Sequence, residues 1–262
     1  MPEGDTVYRT AAQLREALAG HRLTAADLRV PAHATADLTD RLVLEVVPRG
    51  KHLLTRFDGG LTLHTHLRMD GRWAVFRAGE KWHGGPAHQI RAVLGTAERT
   101  AVGYRLPVVE LLRTADEDRA VGHLGPDLLG PDWDAAEALR RLTAEPGRPV
   151  GEALLDQRNL AGIGNVYANE LCFMAAVTPW TPVGEVAVLD RMVAKAQQLL
   201  EANKLRVERI TTREDRADRR TWVYGRARRP CARCGTPVRT AQYAQDRPAF
   251  WCPRCQHGPS PA

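Results

Sequence analysis

Three groups of residues in this chain have the types and spacing to do chemistry. The first is the opening Met1-Pro2-Glu3-Gly4. Removal of the initiator methionine, expected before a small second residue, leaves Pro2 with a free secondary amine. Such an amine attacks a sugar carbon or an aldehyde to give an iminium that has no N–H to lose. The retained positive charge then draws electrons from the neighbouring carbons. An α-amino group has a reference pKa of about 8, so an unprotonated fraction exists near neutral pH. Glu3 is placed to supply or remove protons. Met-Pro-Glu is also an ordinary start, and many chain ends of this kind are inert. The other groups decide between the two readings.

The second group is Cys231, Cys234, Cys252 and Cys255, two Cys-x-x-Cys pairs with 17 residues between them. Four thiolates at this spacing suit one Zn²⁺ in a closed structural site. The metal would fold a segment too small to build its own core. A hairpin through Val238, Tyr243, Phe250 and Trp251, carrying Arg239 and Arg247, is expected between the pairs. The remaining cysteine, Cys172, reads as a core residue. The third group is the stretch 156–170, where Gly162 and Gly164 demand a tight turn that opens into a helix. A helix N-terminus with small residues at its mouth offers backbone N–H groups to an anion. A phosphate is the natural occupant, with Asn165 as a further amide donor. The plain alternative is a helical hairpin whose glycines serve packing.

These groups need elements to position them. Asp5 or Thr6 caps an expected helix over 6–19, with Val7, Ala11, Leu14 and Leu18 at helical spacing. Strands are expected at 42–47, 51–57, 61–64, 72–76, 89–94 and 108–112, with a turn at Asp58-Gly59-Gly60. Short strands at this spacing predict a β-sandwich or barrel. A loop from His64 to Gly71 carries Met69 near its tip, either half-buried or as a wedge for a base stack. Glycines and prolines mark 114–130 as a linker. Beyond it, helices are expected from Asp134 to about 145, over 150–155, after the 156–164 turn, and over 186–203. The predicted fold class is α+β with two domains. An N-terminal helix and β-sandwich (1–113) precede the linker, a helical domain (131–225) and a C-terminal zinc-binding hairpin (226–262).

Charge points to the partner. Of 37 Lys and Arg and 31 Asp and Glu in 262 residues, the segment from Lys204 onward holds 14 against 5. The preceding 203 residues hold 23 against 26. Basic charge concentrated in one region of a slightly acidic chain suggests a polyanion. No apolar run is long enough to span a bilayer. An acidic residue at position 3 breaks any signal-peptide pattern, so a cytoplasmic location is expected.

Together the three groups resemble the formamidopyrimidine-DNA glycosylase/endonuclease VIII family of base-excision repair enzymes over nearly the whole chain. The motifs are Pro2-Glu3-Gly4, the 156–170 stretch as a helix–two-turn–helix element, and the terminal zinc finger from Arg247 to Gln256. The resemblance implies a bifunctional DNA glycosylase and abasic-site lyase acting by β,δ-elimination. It implies that Pro2 attacks C1′ and that Glu3 is a general acid. Lys51, Asn165 and Arg247 would lie at the lesion phosphates. Met69 would fill the gap left by a flipped base, since the amine cannot reach C1′ inside an intact stack. The expected partner is damaged double-stranded DNA, with single-stranded DNA a second candidate, bound by a monomer located with the nucleoid.

Three departures bear on this. Thr6 stands where the family often has a second glutamate. The finger carries one extra residue before Arg247. No Pro-Arg-Arg-Phe segment occurs over 101–112, which with Pro2-Glu3-Gly4 favours the endonuclease VIII branch and oxidised pyrimidines. Thr6 keeps open a second reading, a DNA-binding or lyase-only relative that has lost base excision. A structured-RNA binder would leave Pro2 and Glu3 without a role.

Overall fold

The computed structural model describes residues 2–243 and 247–261. The chain divides into two units, 1–123 and 124–262. Among the described residues no helix is long and apolar enough to cross a membrane.

The first unit opens with α1 (Gly4–Leu18). The spacing of Val7, Ala11, Leu14 and Leu18 gives the helix one apolar face, and all four are buried. The strands are β1 (Ala25–Leu28), β2 (Val43–Arg49), β3 (His52–Phe57), β4 (Leu61–His66), β5 (Arg72–Arg77), β6 (Ile90–Gly95), β7 (Arg99–Tyr104) and β8 (Val108–Arg113). They form two antiparallel sheets, ordered β1-β6-β7-β5 and β2-β3-β4-β8. Leu53, Phe57 and Leu63 from one sheet share a core with Trp73, Ala92, Leu94 and Ala101 from the other and with the stripe of α1. The unit is therefore a β-sandwich with a helix closing one side. Burying each such leucine contributes about 1.5–3 kcal/mol.

Two strands were not expected from the sequence. β1, Ala-Ala-Asp-Leu, has too few branched residues to signal itself. β7 contains Gly103, which reads as a breaker, but here it leaves room for buried Leu106, whose Cδ1 would lie 2.4 Å from a Cβ. β4 also runs two residues further than expected, to His66. The segment after β8 is structured, with a 3-10 turn over Thr114–Asp116 and α2 (Asp118–Val121). Glu117 fastens it to the sheet. Its carboxylate takes two hydrogen bonds from Arg56, at 2.8 and 2.6 Å, and one from the Thr62 hydroxyl.

The second unit contains α3 (Ala135–Thr143), α4 (Val150–Leu155), α5 (Asn165–Met174), α6 (Leu189–Asn203) and the hairpin of β9 (Arg239–Tyr243) and β10 (Arg247–Trp251). Asp134 caps α3 as its position suggested, accepting from the N–H groups of Ala136 and Glu137. Tyr167, Leu171 and Cys172 of α5 pack with Val193, Ala196 and Leu200 of α6. Cys172 is a core residue, and burial pushes its thiol up to about 12.

Candidate active site and nucleic-acid interface

In the first unit, Pro2 is partly exposed and is separated from α1 by one residue, Glu3, the helix's N-cap. The Glu3 carbonyl accepts the Val7 N–H at 3.0 Å, and its side chain is fully buried. Arg15, three turns on, donates twice to the Val46 carbonyl and ties α1 to β2. The chain end is thus fixed to the sandwich by the helix that follows it. At position 6, the Thr6 N–H and hydroxyl both donate to the buried Asp5 carboxylate, at 2.7 and 3.3 Å.

Lys51 sits in a two-residue turn between β2 and β3, where Arg49 pairs with His52. Gly50 takes φ +56 there, a left-handed value that a glycine-first hairpin turn needs. Met69 lies in the turn after β4 and is 59% exposed. The Gly71 N–H donates to the Leu67 carbonyl at 2.8 Å and closes that turn. A Cβ at Gly71 would come within 2.6 Å of the same oxygen. Lys51 and Met69 therefore flank the paired ends of β3 and β4, at the edge where His52 faces His66.

That edge holds a group that the sequence analysis did not single out. His52, His64 and His66 project from one face of the sheet, opposite to Leu53 and Leu63. His52 Nδ1 lies 2.8 Å from His64 Nε2, and His64 Nδ1 lies 2.8 Å from Glu110 Oε2. The His66 and His123 rings meet His52 edge-on. Burial, reinforced by the neighbouring imidazoles and Lys51, pushes His52 down to about 3. Burial and then Lys51 push His66 down to about 4. The signal was present in the sequence: positions 52, 64 and 66 share a face once the turn at 58–60 sets the pairing.

In the second unit, α4 ends at Asp156 and α5 begins after Gly164. Hydrogen bonds from Arg158 hold the Asp156 carboxyl well below the usual carboxylate range. Gln157 donates to the Leu155 and Ile163 carbonyls and accepts from the Gly162 N–H. Gly162 has φ +112, a value that L side chains rarely adopt. Gly164 caps α5 without a side chain, as expected for an open helix N-terminus.

Asn165 is fully buried, and its amide donates to the Pro248 carbonyl at 2.9 Å. Asn169 donates to the Asn165 carbonyl and accepts the Phe250 N–H at 2.6 Å. Two amides of α5 thus hold β10, whose first residue, Arg247, is partly exposed opposite Tyr243. The extra residue expected before Arg247 lies outside the described residues. Glu170, also buried, accepts from the N–H groups of Trp222, Val223 and Tyr224 and from the Thr211 hydroxyl.

The Sγ atoms of Cys231, Cys234, Cys252 and Cys255 all lie within 4.8 Å of one another. Contacts of 4.0 Å (Cys231 to Cys255) and 3.4 Å (Cys234 to Cys252) bracket the separation of thiolates about 2.3 Å from a shared tetrahedral ion. Gly235, at φ +77, turns the first knuckle, and Gln256 accepts the Cys252 N–H in the second. Four soft donors in a closed cluster fit one metal ion.

Comparison with known proteins agrees with this architecture. Residues 1–105 match the formamidopyrimidine-DNA glycosylase N-terminal domain, and residues 124–214 match the H2TH domain of the same glycosylase. The chain belongs to the formamidopyrimidine-DNA glycosylase family. Within it, the chain is 63% identical to a probable endonuclease 8 2 of Streptomyces coelicolor, over 100% of this chain and 96% of that protein. It is 48% identical to the DNA-(apurinic or apyrimidinic site) lyase Nei2 of Mycolicibacterium smegmatis, over 98% and 99% of the two chains. The solved Lactococcus lactis glycosylase, in complex with DNA containing an abasic site, has the same fold. Its TM-score is 0.82 at 18% identity, covering 98% of this chain and 100% of that one.

Proposed function

We propose that this protein is a bifunctional DNA glycosylase and abasic-site lyase of base-excision repair, with oxidised pyrimidines as its bases. The observation that carries the reading is Pro2 one residue before α1, next to a fully buried Glu3 that caps the helix, in a chain of this family.

The Pro2 nitrogen attacks C1′ of the damaged nucleotide, and the base leaves. Glu3 protonates the ring oxygen as the sugar opens to an iminium. With no N–H on that nitrogen, the charge persists and pulls electrons from C2′, which loses a proton as the 3′ phosphate departs. A second elimination expels the 5′ phosphate. Lys51, Asn165 and Arg247 engage the phosphates around the lesion, and Met69 occupies the gap in the stack. Bound Zn²⁺ would be a single structural ion held by Cys231, Cys234, Cys252 and Cys255, supplying fold rather than reaction chemistry. The working form is a cytoplasmic monomer on damaged duplex DNA, with single-stranded DNA as a second substrate.

Borohydride added during reaction with an abasic-site duplex tests this. Wild type is expected to give a covalent protein–DNA adduct and Pro2→Gly none. No adduct with wild type, or equal adduct with the variant, refutes the proline mechanism. Thr6, whose hydroxyl is turned to Asp5, keeps a lyase-only enzyme as the second reading. Oligonucleotides bearing single lesions separate the two: strand scission without release of any base identifies the lyase-only form.

A further inference from the structure

We propose that Glu110, His64 and His52 form a proton relay that carries away the proton released during strand cleavage. The inference rests on the function proposed above and names residues to which that mechanism gave no role.

The geometry fixes the direction of the relay. His64 lies opposite Glu110 in the pairing of β4 with β8, and His52 is its diagonal neighbour on β3. The His52 and His64 rings have centroids 5.0 Å apart and planes 20° apart. With Nδ1 and Nε2 only 2.8 Å apart, the rings meet edge to edge along the hydrogen bond. A carboxylate accepts only, so Glu110 Oε2 makes His64 carry its proton on Nδ1. Neutral His64 then offers a lone pair at Nε2, which takes the N–H of His52 Nδ1. His52 Nε2 then carries the lone pair at the end of the chain, at the sheet edge flanked by Lys51 and Met69. His66 is set the other way. Its Nδ1 accepts the Arg68 N–H at 2.9 Å, so its Nε2 is a donor.

The step balances. A proton arriving at His52 Nε2 forms a new N–H bond there, and the His52 Nδ1–H bond breaks as its proton passes to His64 Nε2. His64 becomes an imidazolium facing the Glu110 carboxylate. The elimination supplies the proton from C2′. The exit is also present: His64 is 5% exposed but Glu110 is 52% exposed. Glu110 lines an open depression of about 470 Å³ with His33, Arg113, Asp116 and Arg119. The other charged or titratable groups facing the imidazoles are Lys51 before β3, His66 and Arg68 from β4 and its turn, and Glu117 and His123 from the covering segment. Of these, only Glu117 is acidic, and it is occupied by Arg56. Glu110 is therefore the carboxylate matched to His64.

The test is the pH profile of single-turnover scission of a preformed abasic-site duplex, with DNA affinity and thermal stability measured alongside. Glu110→Gln keeps an acceptor for His64 Nδ1–H but removes the charge. It is expected to slow scission near neutral pH by about tenfold. The slowing should change across the pH profile rather than be uniform, with affinity unchanged. Glu110→Asp should restore the rate and the profile, and His64→Leu, which cuts the chain, should be as slow as Glu110→Gln. A Glu110→Gln profile that superimposes on wild type overturns the relay. So does a loss that is uniform with pH or that follows DNA affinity. Wild type that neither cleaves nor is trapped by borohydride overturns the function proposal itself, which separates the two failures.

Discussion

The sandwich and the cysteine finger keep their shapes by opposite means. In the first unit, α1 and both sheets bury one continuous apolar cluster. In the finger, the apolar cluster joins Phe173, Val223 and Val238, with Trp222 and Phe250 half-buried against them, and includes Cys231 and Cys252 themselves. A core of that size cannot offset the conformational entropy of ordering the segment. Burial sustains the sandwich, whereas the finger places four cysteines where a metal ion would complete it.

The largest expected effect breaks the weaker partner. Structural zinc in small domains contributes about 10–16 kcal/mol. Chelation, or Cys252→Ser, should therefore collapse the amide spectrum of the hairpin and abolish DNA binding while sandwich signals persist. Loss of both sets of signals together would show that the contrast is false.

A smaller effect concerns the segment leading into the finger. Glu170→Ala leaves the buried N–H groups of Trp222, Val223 and Tyr224 without their acceptor, at about 1–3 kcal/mol for such a group. Hydrogen exchange at 222–224 should rise sharply, and unchanged protection would refute the anchor.

Per pH unit, the smallest effect falls on the sandwich and comes from acid. His52 and His66 bind protons less readily when folded, at about 3 and 4, than the ordinary histidine value of 6.5. The unfolded chain therefore holds more protons below pH 6.5, and stability falls as pH drops from 6.5 toward 4. Each histidine costs up to about 1.4 kcal/mol per pH unit in that window. Thermal melts of the His52→Phe variant should show a shallower decline. An equal slope would exclude His52 as a source.

Much of this was legible because single residues carry strong local rules. Asp134 announced a cap, Asp58-Gly59-Gly60 a turn with both glycines at positive φ, and four cysteines a ligand set. The helix spacing of Val7, Ala11, Leu14 and Leu18 placed α1 to within two residues at its start. The histidine cluster escaped because it depends on which residues face each other across three strands. Reading β4 as ending at His64 put His66 in a loop and hid the shared face. The hydrogen bond from the Asn165 amide to the Pro248 carbonyl depends on a partner 83 residues away, which no local pattern encodes.

The alternation along β4 has a consequence for how the chain tolerates change. Leu63 points inward while His64 and His66 point outward, and β3 follows the same rule. Inserting a single amino acid at Gly59-Gly60 would slide one strand past the other and drive imidazoles into the oily interior while expelling leucine to water. The strand pair thus proofreads its own alignment: a slipped copy would be too unstable to accumulate, so length variation at this bend should be purged at the level of folding, before any catalytic defect could be felt.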